Sequence, residues 1–377
     1  MSGSERPIAF FDLKSQAARI RADVEARLKA VLDHGAYING PEIAELEDAL
    51  LRRSGAREVV AVSSGTDALV IALMAKGVGP GDAVFVPAFT YNATANAVLL
   101  TGATPVFVDI EAGSFDMCPD DLKRRIAALR AGRPDLRPRA IMPVDLYGLP
   151  ADYPAIERIA RAQGLVVIAD AAQSFGGAVD DTQVGALASL TGTSFFPTKT
   201  LGGYGDGGAI FSTEPGLGEV LRSIRWHGTD EARRESIRVG MNGRLDSFQA
   251  AVLLAKLAIF SQEHARRVAL AARYDANLSN SVELPARPAG RTSGWGLYTI
   301  EVENRDGVRA RLSEAGVPTS VYYSQILPEM RAFRAYAGDG DFPAARHASA
   351  RVLSLPFHPY LEDGEVDRVC EALRAAL

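Results

Sequence analysis

Lys199 ends the segment Ser194-Phe195-Phe196-Pro197-Thr198-Lys199 and stands directly before the glycine-rich stretch Leu201-Gly202-Gly203-Tyr204-Gly205-Asp206-Gly207-Gly208. A lysine amine held against a tight backbone after an apolar strand is placed to form a Schiff base with an aldehyde cofactor. Upstream, the apolar run Val166-Val167-Ile168-Ala169 ends in Asp170, with Gln173 just beyond. A carboxylate there can keep a pyridine nitrogen protonated, so that the ring serves as an electron sink, and Gln173 can reach the ring's phenolic oxygen. Together these residues point to pyridoxal phosphate chemistry.

Each piece also has a plainer reading. Most lysines are solvated, a glycine cluster marks a turn, and an aspartate closing an apolar run can be a helix cap. Ser63-Ser64-Gly65-Thr66-Asp67-Ala68-Leu69 is either a helix cap or a phosphate cradle built from hydroxyls and free N–H groups at a helix N-terminus. Phe89, in Pro87-Ala88-Phe89-Thr90-Tyr91-Asn92-Ala93-Thr94, is a core residue or the aromatic that covers one face of the ring. The ordered set favours the chemistry: a Ser-Ser-Gly-Thr turn, a strand-end aspartate, then Ser194 and Lys199.

These residues need a scaffold, and the pattern around them supplies one. Helical spacing over 16–32 is followed by a second helix opened by Pro41 and Glu42 and ended by Gly55. Strand-like runs at 59–62, 83–86, 105–108, 140–143, 165–169, 194–196 and 209–212 then alternate with helical stretches at 67–75, 94–100, 122–129 and 153–162. Such alternation predicts an α/β fold with a mainly parallel, helix-covered sheet. A long helix over 247–278 reads as the spine joining two domains. Beyond it, strands at 297–302 and 319–323 and helices at 307–315 and 364–377 predict a smaller α+β domain. The division is drawn as 1–250 for the large domain with its N-terminal helical arm, and 251–377 for the linking helix and small domain.

Composition narrows the function. The 377 residues are 47% apolar and 23% charged, with a formal charge of -5, which suits a soluble globular protein and argues against a nucleic-acid surface. Cys118 and Cys370 are far apart, and the five histidines show no metal spacing, so neither a disulfide framework nor a metal site is expected. The N-terminus has no apolar signal core and no run is long enough to span a bilayer, so a cytoplasmic location is expected. No Gly-x-Gly-x-x-Gly follows the first strand, which disfavours a nicotinamide dehydrogenase.

Almost end to end, the chain resembles the DegT/DnrJ/EryC1/StrS sugar aminotransferases, pyridoxal phosphate enzymes of fold type I (aspartate aminotransferase-like). The stretches that carry the resemblance include Gly35-Ala36-Tyr37-Ile38-Asn39-Gly40-Pro41-Glu42, Pro143-Val144-Asp145-Leu146-Tyr147-Gly148, Asp170-Ala171-Ala172-Gln173-Ser174-Phe175-Gly176, the Lys199 segment, and Asn242-Gly243-Arg244-Leu245-Asp246. Within the family it looks similar to UDP-sugar 3-aminotransferases acting on 3-keto uronic acids, through Phe11-Asp12-Leu13-Lys14 and His358-Pro359-Tyr360-Leu361.

The resemblance implies a cofactor, pyridoxal 5'-phosphate, with Lys199 as its Schiff-base lysine, Asp170 at the pyridine nitrogen, Gln173 at the phenolic oxygen and Phe89 stacked on the ring. It implies a phosphate cradle of Gly65, Thr66 and Ser194, completed by Asn242 from a neighbouring subunit, with Arg244 touching substrate across the same interface. A homodimer with shared active sites, L-glutamate as amino donor and a nucleotide-linked keto sugar as acceptor follow from it, with a role in amino-sugar and lipopolysaccharide synthesis. Close relatives read His-Tyr-Pro where this chain has Tyr322-Tyr323-Ser324, in a loop that touches the sugar, so a neutral keto sugar stands beside the uronic acid. Two rivals are a dTDP- or GDP-linked 4-keto sugar aminotransferase and a non-catalytic regulatory protein of the same fold. The latter would need a DNA-binding module or a damaged site, and the sequence has neither.

Overall fold

Apolar strands that must be covered on both faces and amphipathic helices that must bury one face satisfy each other by layering. The computed structural model describes residues 7–338 and 340–377. Its strands are β1 (Glu58–Val62), β2 (Asp82–Pro87), β3 (Thr104–Val108), β4 (Arg137–Ile141), β5 (Val166–Asp170), β6 (Ala178–Val179), β7 (Thr182–Gln183), β8 (Leu190–Ser194), β9 (Gly208–Ser212), β10 (Arg291–Thr292), β11 (Tyr298–Glu301) and β12 (Val352–Leu355). Seven form the central sheet in the order β1-β9-β8-β5-β4-β2-β3. It is parallel from β8 through β3, while β9 runs antiparallel to both its neighbours. All of β2 and β9 is buried, as a sheet covered on both faces requires.

The covering helices start and stop where the residues dictate. Ser64 and Asp152 cap Gly65–Ala75 and Tyr153–Gln163 by accepting from backbone N–H groups, and Gly55 and Gly164 end their helices in the left-handed conformation. The helix Ser247–Leu278 serves two cores. Leu253 and Phe260 pack with the large domain, whereas Leu270, Ala271, Tyr274 and Leu278 pack with Tyr298, Phe357 and Val369 of the smaller one.

Four details differ from the sequence expectation. The helix expected over 16–32 is two helices, Leu13–Arg19 and Arg21–His34, broken at Ile20, whose side chain is drawn in beside Val24, Val252 and Ala255. The strand expected at 194–196 lies upstream at Leu190–Ser194. Its apolar signal is weak because Gly192 sits where a Cβ would come within 2.9 Å of Leu69. Residues 319–323 form no strand beyond a single bridge from Ser320 to Ser354; the small domain's β11 pairs with β12 instead. Finally, the N-terminal segment reaches the small domain, since Ile8 belongs to its core and the Phe357 N–H donates to the Phe10 carbonyl.

One buried carboxylate ties the C-terminal half to the sheet. Asp109, just after β3, accepts from the backbone N–H groups of Ala344 (3.1 Å) and Ala345 (2.9 Å). These open the helix Pro343–Arg351, whose first turn has no internal acceptors. Asp109→Ala should therefore lower unfolding free energy by about 1–2 kcal/mol in urea titration; an unchanged midpoint and slope would remove this capping role.

Candidate active site

The carboxyl ends of β5 and β8 and the helix after β1 converge on one cavity of about 430 Å³, at the sheet edge where α/β sites form. At the end of β5, Asp170 is held by its main chain: its N–H donates to Pro143 and its carbonyl accepts from Asp145. Its carboxylate is 5% exposed and accepts from the Thr94 hydroxyl (2.7 Å) and the Ala172 N–H (3.3 Å). Burial raises its pKa above the usual carboxylate range, opposed by those hydrogen bonds and by the Lys199 charge.

Lys199 lies in the loop that joins β8 to β9. The loop is tight: Gly203 N–H donates to the Phe195 carbonyl, Lys199 N–H to that of Phe196, and a Cβ at Gly202 would lie 2.5 Å from the Pro197 oxygen. The Lys199 side chain lines the cavity. Burial lowers its amine below the ordinary lysine value, with Asp170 pulling the other way.

The Ser63–Leu69 segment is both a cap and a free N-terminus. Ser64 Oγ accepts from the Asp67 N–H at 3.0 Å, so Ser64 is the cap, while the N–H groups of Gly65 and Thr66 belong to a first turn without intrahelical acceptors. Gly65 lies against Ser194, where a Cβ would come within 2.7 Å of the serine Cβ. Gly65, Thr66, Ser194 and Lys199 all line the cavity. Backbone donors at a positive helix end, two hydroxyls, a glycine-narrowed wall, a lysine and a buried carboxylate together fit a pyridine aldehyde phosphate.

Gln173 Oε1 accepts from the Tyr147 N–H at 2.7 Å, so its Nε2 is left toward the Tyr323 hydroxyl at 3.4 Å. Tyr322 and Tyr323 line the cavity. Phe89 does not: it is 1% exposed and packs into the core, 6.1 Å from Phe115 and edge-on to Tyr323 at 6.3 Å. The aromatic that lines the cavity there is Tyr91, 55% exposed. Both occur in one short segment; a phenol tolerates an open wall better than a phenyl ring does, but the packing of Phe115 and Tyr323 decides which ring is enclosed.

Asn242 and Arg244 are not among the cavity-lining residues of this chain. Asn242 Oδ1 accepts from Arg244 Nε at 2.8 Å, and the Arg244 guanidinium lies 4.4 Å over the Trp226 ring. Thr94, Tyr91, Tyr147 and Asp206 contribute to the site or its support without having been singled out in the sequence. Among the described residues no cluster of histidine, cysteine, aspartate or glutamate could hold a metal.

The fold and this site define a pyridoxal-phosphate-dependent aminotransferase of fold type I. A model of the DegT/DnrJ/EryC1/StrS aminotransferase family matches residues 18–374, and the chain belongs to that family. It is 45% identical over 367 residues to the UDP-2-acetamido-2-deoxy-3-oxo-D-glucuronate aminotransferase of Pseudomonas aeruginosa, covering 97% of this chain and 99% of that one. A DegT DnrJ EryC1 StrS aminotransferase structure from Brucella abortus superposes with a TM-score of 0.95 at 45% identity, covering 98% of this chain and 99% of that one. The Bacillus subtilis ntda structure, with bound cofactor PMP, superposes with a TM-score of 0.87 at 33% identity over 95% of this chain and 82% of that one.

The two aromatics separate experimentally. Phe89→Ala should cost about 3–5 kcal/mol of stability, whereas Tyr91→Ala should stay within about 0.5 kcal/mol of the parent and weaken pyridoxal phosphate binding in a fluorescence titration. The reverse pattern would return the stacking role to Phe89. Because the neutral amine is the reactive form, loading of apoprotein with pyridoxal phosphate should speed up with pH and level off below 10.5, the ordinary lysine value. A rate still climbing through that pH would show that the Lys199 amine is not depressed.

Proposed function

We propose that the chain moves an amino group from L-glutamate to a nucleotide-linked 3-keto sugar, UDP-linked in the first instance, in amino-sugar synthesis of the kind that supplies lipopolysaccharide. The observation that carries this reading is the meeting of Lys199, Asp170 and the Gly65-Thr66 helix end on one cavity. The Pseudomonas aeruginosa relative, whose name specifies a UDP-linked 3-oxo sugar, supports the acceptor.

Bound pyridoxal phosphate supplies an electron sink for the carbanion formed when an amine-bearing carbon loses its proton. The chain's residues do the rest. Gly65, Thr66 and Ser194 would bind the phosphate, with the helix end favouring its charge. Asp170 would hold a proton at the ring nitrogen, a cation that would offset the burial raising the carboxyl pKa. Gln173 Nε2 would donate to the ring oxygen, and Tyr91 would cover the outward face. Lys199 Nζ would hold the aldehyde carbon, and as a free amine it would take the α-proton of glutamate and, in the second half, return a proton to the sugar carbon. Its depressed basicity keeps a neutral fraction available for both transfers.

A homodimer completes the site in this reading. Asn242 is exposed and outside its own chain's cavity, which suits a reach toward a partner's phosphate, with Arg244 held beside it against Trp226. Both cysteines are free thiols, in keeping with a cytoplasmic setting. No helix of the described residues is long and apolar enough to cross a membrane.

Acceptor charge is read across the dimer in this proposal. Among the described residues lining one chain's cavity, Lys199 is the sole cation, and the wall also offers Tyr91, Tyr322, Tyr323 and the carboxylate of Asp206. A sugar carboxylate would take its counter-charge from Arg244 of the partner subunit, whereas hydroxyl and acetamido groups are served by the phenols, so a uronic and a neutral acceptor are both accommodated.

The test is a panel of UDP-, dTDP- and GDP-linked 3-keto and 4-keto sugars, neutral and uronic, with glutamate and product mass spectrometry. Turnover should be greatest with a UDP-linked 3-keto sugar, and Lys199→Ala should lower it by at least about 10²–10⁴-fold. A preference for a 4-keto sugar, or a protein that takes no amine from glutamate, would sink the assignment.

A further inference from the structure

Tyr147 commits all three of its polar groups to different parts of the site. Its N–H donates to Gln173 Oε1 at 2.7 Å, its carbonyl accepts from the Leu297 N–H at 3.1 Å, and its hydroxyl donates to the Tyr322 carbonyl. The side chain is buried, with its ring edge-on to Phe115 at 5.3 Å. Leu297 and Tyr322 line the cavity on the wall contributed after the long helix, while Gln173 lines it from the large domain.

The backbone that presents these groups is tightly determined. Tyr147 has a left-handed φ of 58°, a conformation a bulky residue holds only when its surroundings impose it. Those surroundings are visible. The buried Asp145 carboxylate accepts from the Ala151 N–H (2.9 Å), the Tyr153 hydroxyl (2.8 Å) and the Ser174 hydroxyl (2.6 Å). Gly148 follows with φ +113°, where a Cβ would lie 2.7 Å from the nitrogens of both Trp295 and Gly296. The turn is thus wedged between the Gln173 segment and the 295–297 segment, and the phenol projects from a fixed base.

We propose that Tyr147 is a positioning residue for the sugar-binding wall: its main chain orients the Gln173 amide, while its hydroxyl hangs the Tyr322-Tyr323 segment at a set distance from that amide. The proposal rests on the sugar aminotransferase reading for what the wall binds, but not for the coupling itself. Burial raises the phenol's pKa well above its ordinary value, so the hydroxyl remains a donor throughout the working pH range. The two functions are separable by chemistry, since removing the hydroxyl leaves the N–H that holds Gln173.

Tyr147→Phe tests it. In hydrogen exchange without substrate, amides at 320–325 should exchange faster than in the parent while those at 166–173 are unchanged. The bound cofactor's absorption should also be unchanged, because Gln173 keeps its orientation. With the best acceptor from the sugar panel, KM for the sugar should rise roughly five- to ten-fold, as expected for one lost hydrogen bond, with the glutamate half-reaction within about two-fold of the parent. Unchanged exchange at 320–325 overturns the proposal, as does a parallel fall in both half-reactions with an unaltered sugar KM. Should the parent enzyme aminate no keto sugar at all, the assigned function fails, and the exchange result alone decides the coupling.

Discussion

A carboxylate removed from water needs a counter-charge nearby or it does not stay ionised. Asp170 imposes this condition on the whole site. It is buried at the end of a central strand, its partners are a threonine hydroxyl and a backbone N–H, and Lys199 is the cation whose charge acts on it within the cavity. Lys199 offsets the burial of this carboxylate only in part, and a protonated pyridine ring would add a second positive charge beside it. Much of the sheet's arrangement serves to keep that carboxylate dry, because β5 has β4 on one side and β8 on the other.

Around this charge the molecule divides its labour. The large domain builds a floor from three chain turns, after β1, β5 and β8, whose positions are set by the sheet and by close packing such as that of Gly65 on Ser194. A further wall, of Gly296, Leu297, Tyr322 and Tyr323, comes from the C-terminal third of the chain, where Leu297, Tyr322 and Tyr323 pack against the sheet's core while the neighbouring Trp295 and Tyr298 belong to the second core. In the proposed function the floor carries the reacting groups and the wall meets the acceptor. Contacts between them, including those of Tyr147, keep the two in register.

The parts of this arrangement written in local patterns were readable in advance. Helix caps and stops at Gly55 and Ser64, the buried strands of the sheet and the 247–278 helix all follow from residue type and period. Lys199, Asp170, Gln173, Gly65, Thr66 and Ser194 stand at element ends, and the structure brings them to one cavity. What could not be read depends on distant chain. Ile20 breaks a helix because Val252 and Ala255 receive it. Strand β8 hides its identity in Gly192, which is small because Leu69 lies across from it. Phe89 is enclosed and Tyr91 lines the cavity because the packing of Phe115 and Tyr323 decides which of the two aromatics is covered. Tyr147 stands in a stretch that carries the resemblance, but its positioning role was not legible there, since its partners come from residues 173, 297 and 322.

The reversed strand β9 has a consequence for how such a protein can change. Ser194 pairs with Gly208, so the intervening segment leaves the sheet and re-enters it at neighbouring positions. A change in that segment's length would leave the register of both strands alone, with an entropic penalty that grows only slowly, but it would undo the turn that seats Lys199. The contact of Gly65 with Ser194 beneath it has as little latitude, since a single added methyl would collide. Room to reshape what approaches the amine therefore lies across the cavity, while both of its supports stay as they are.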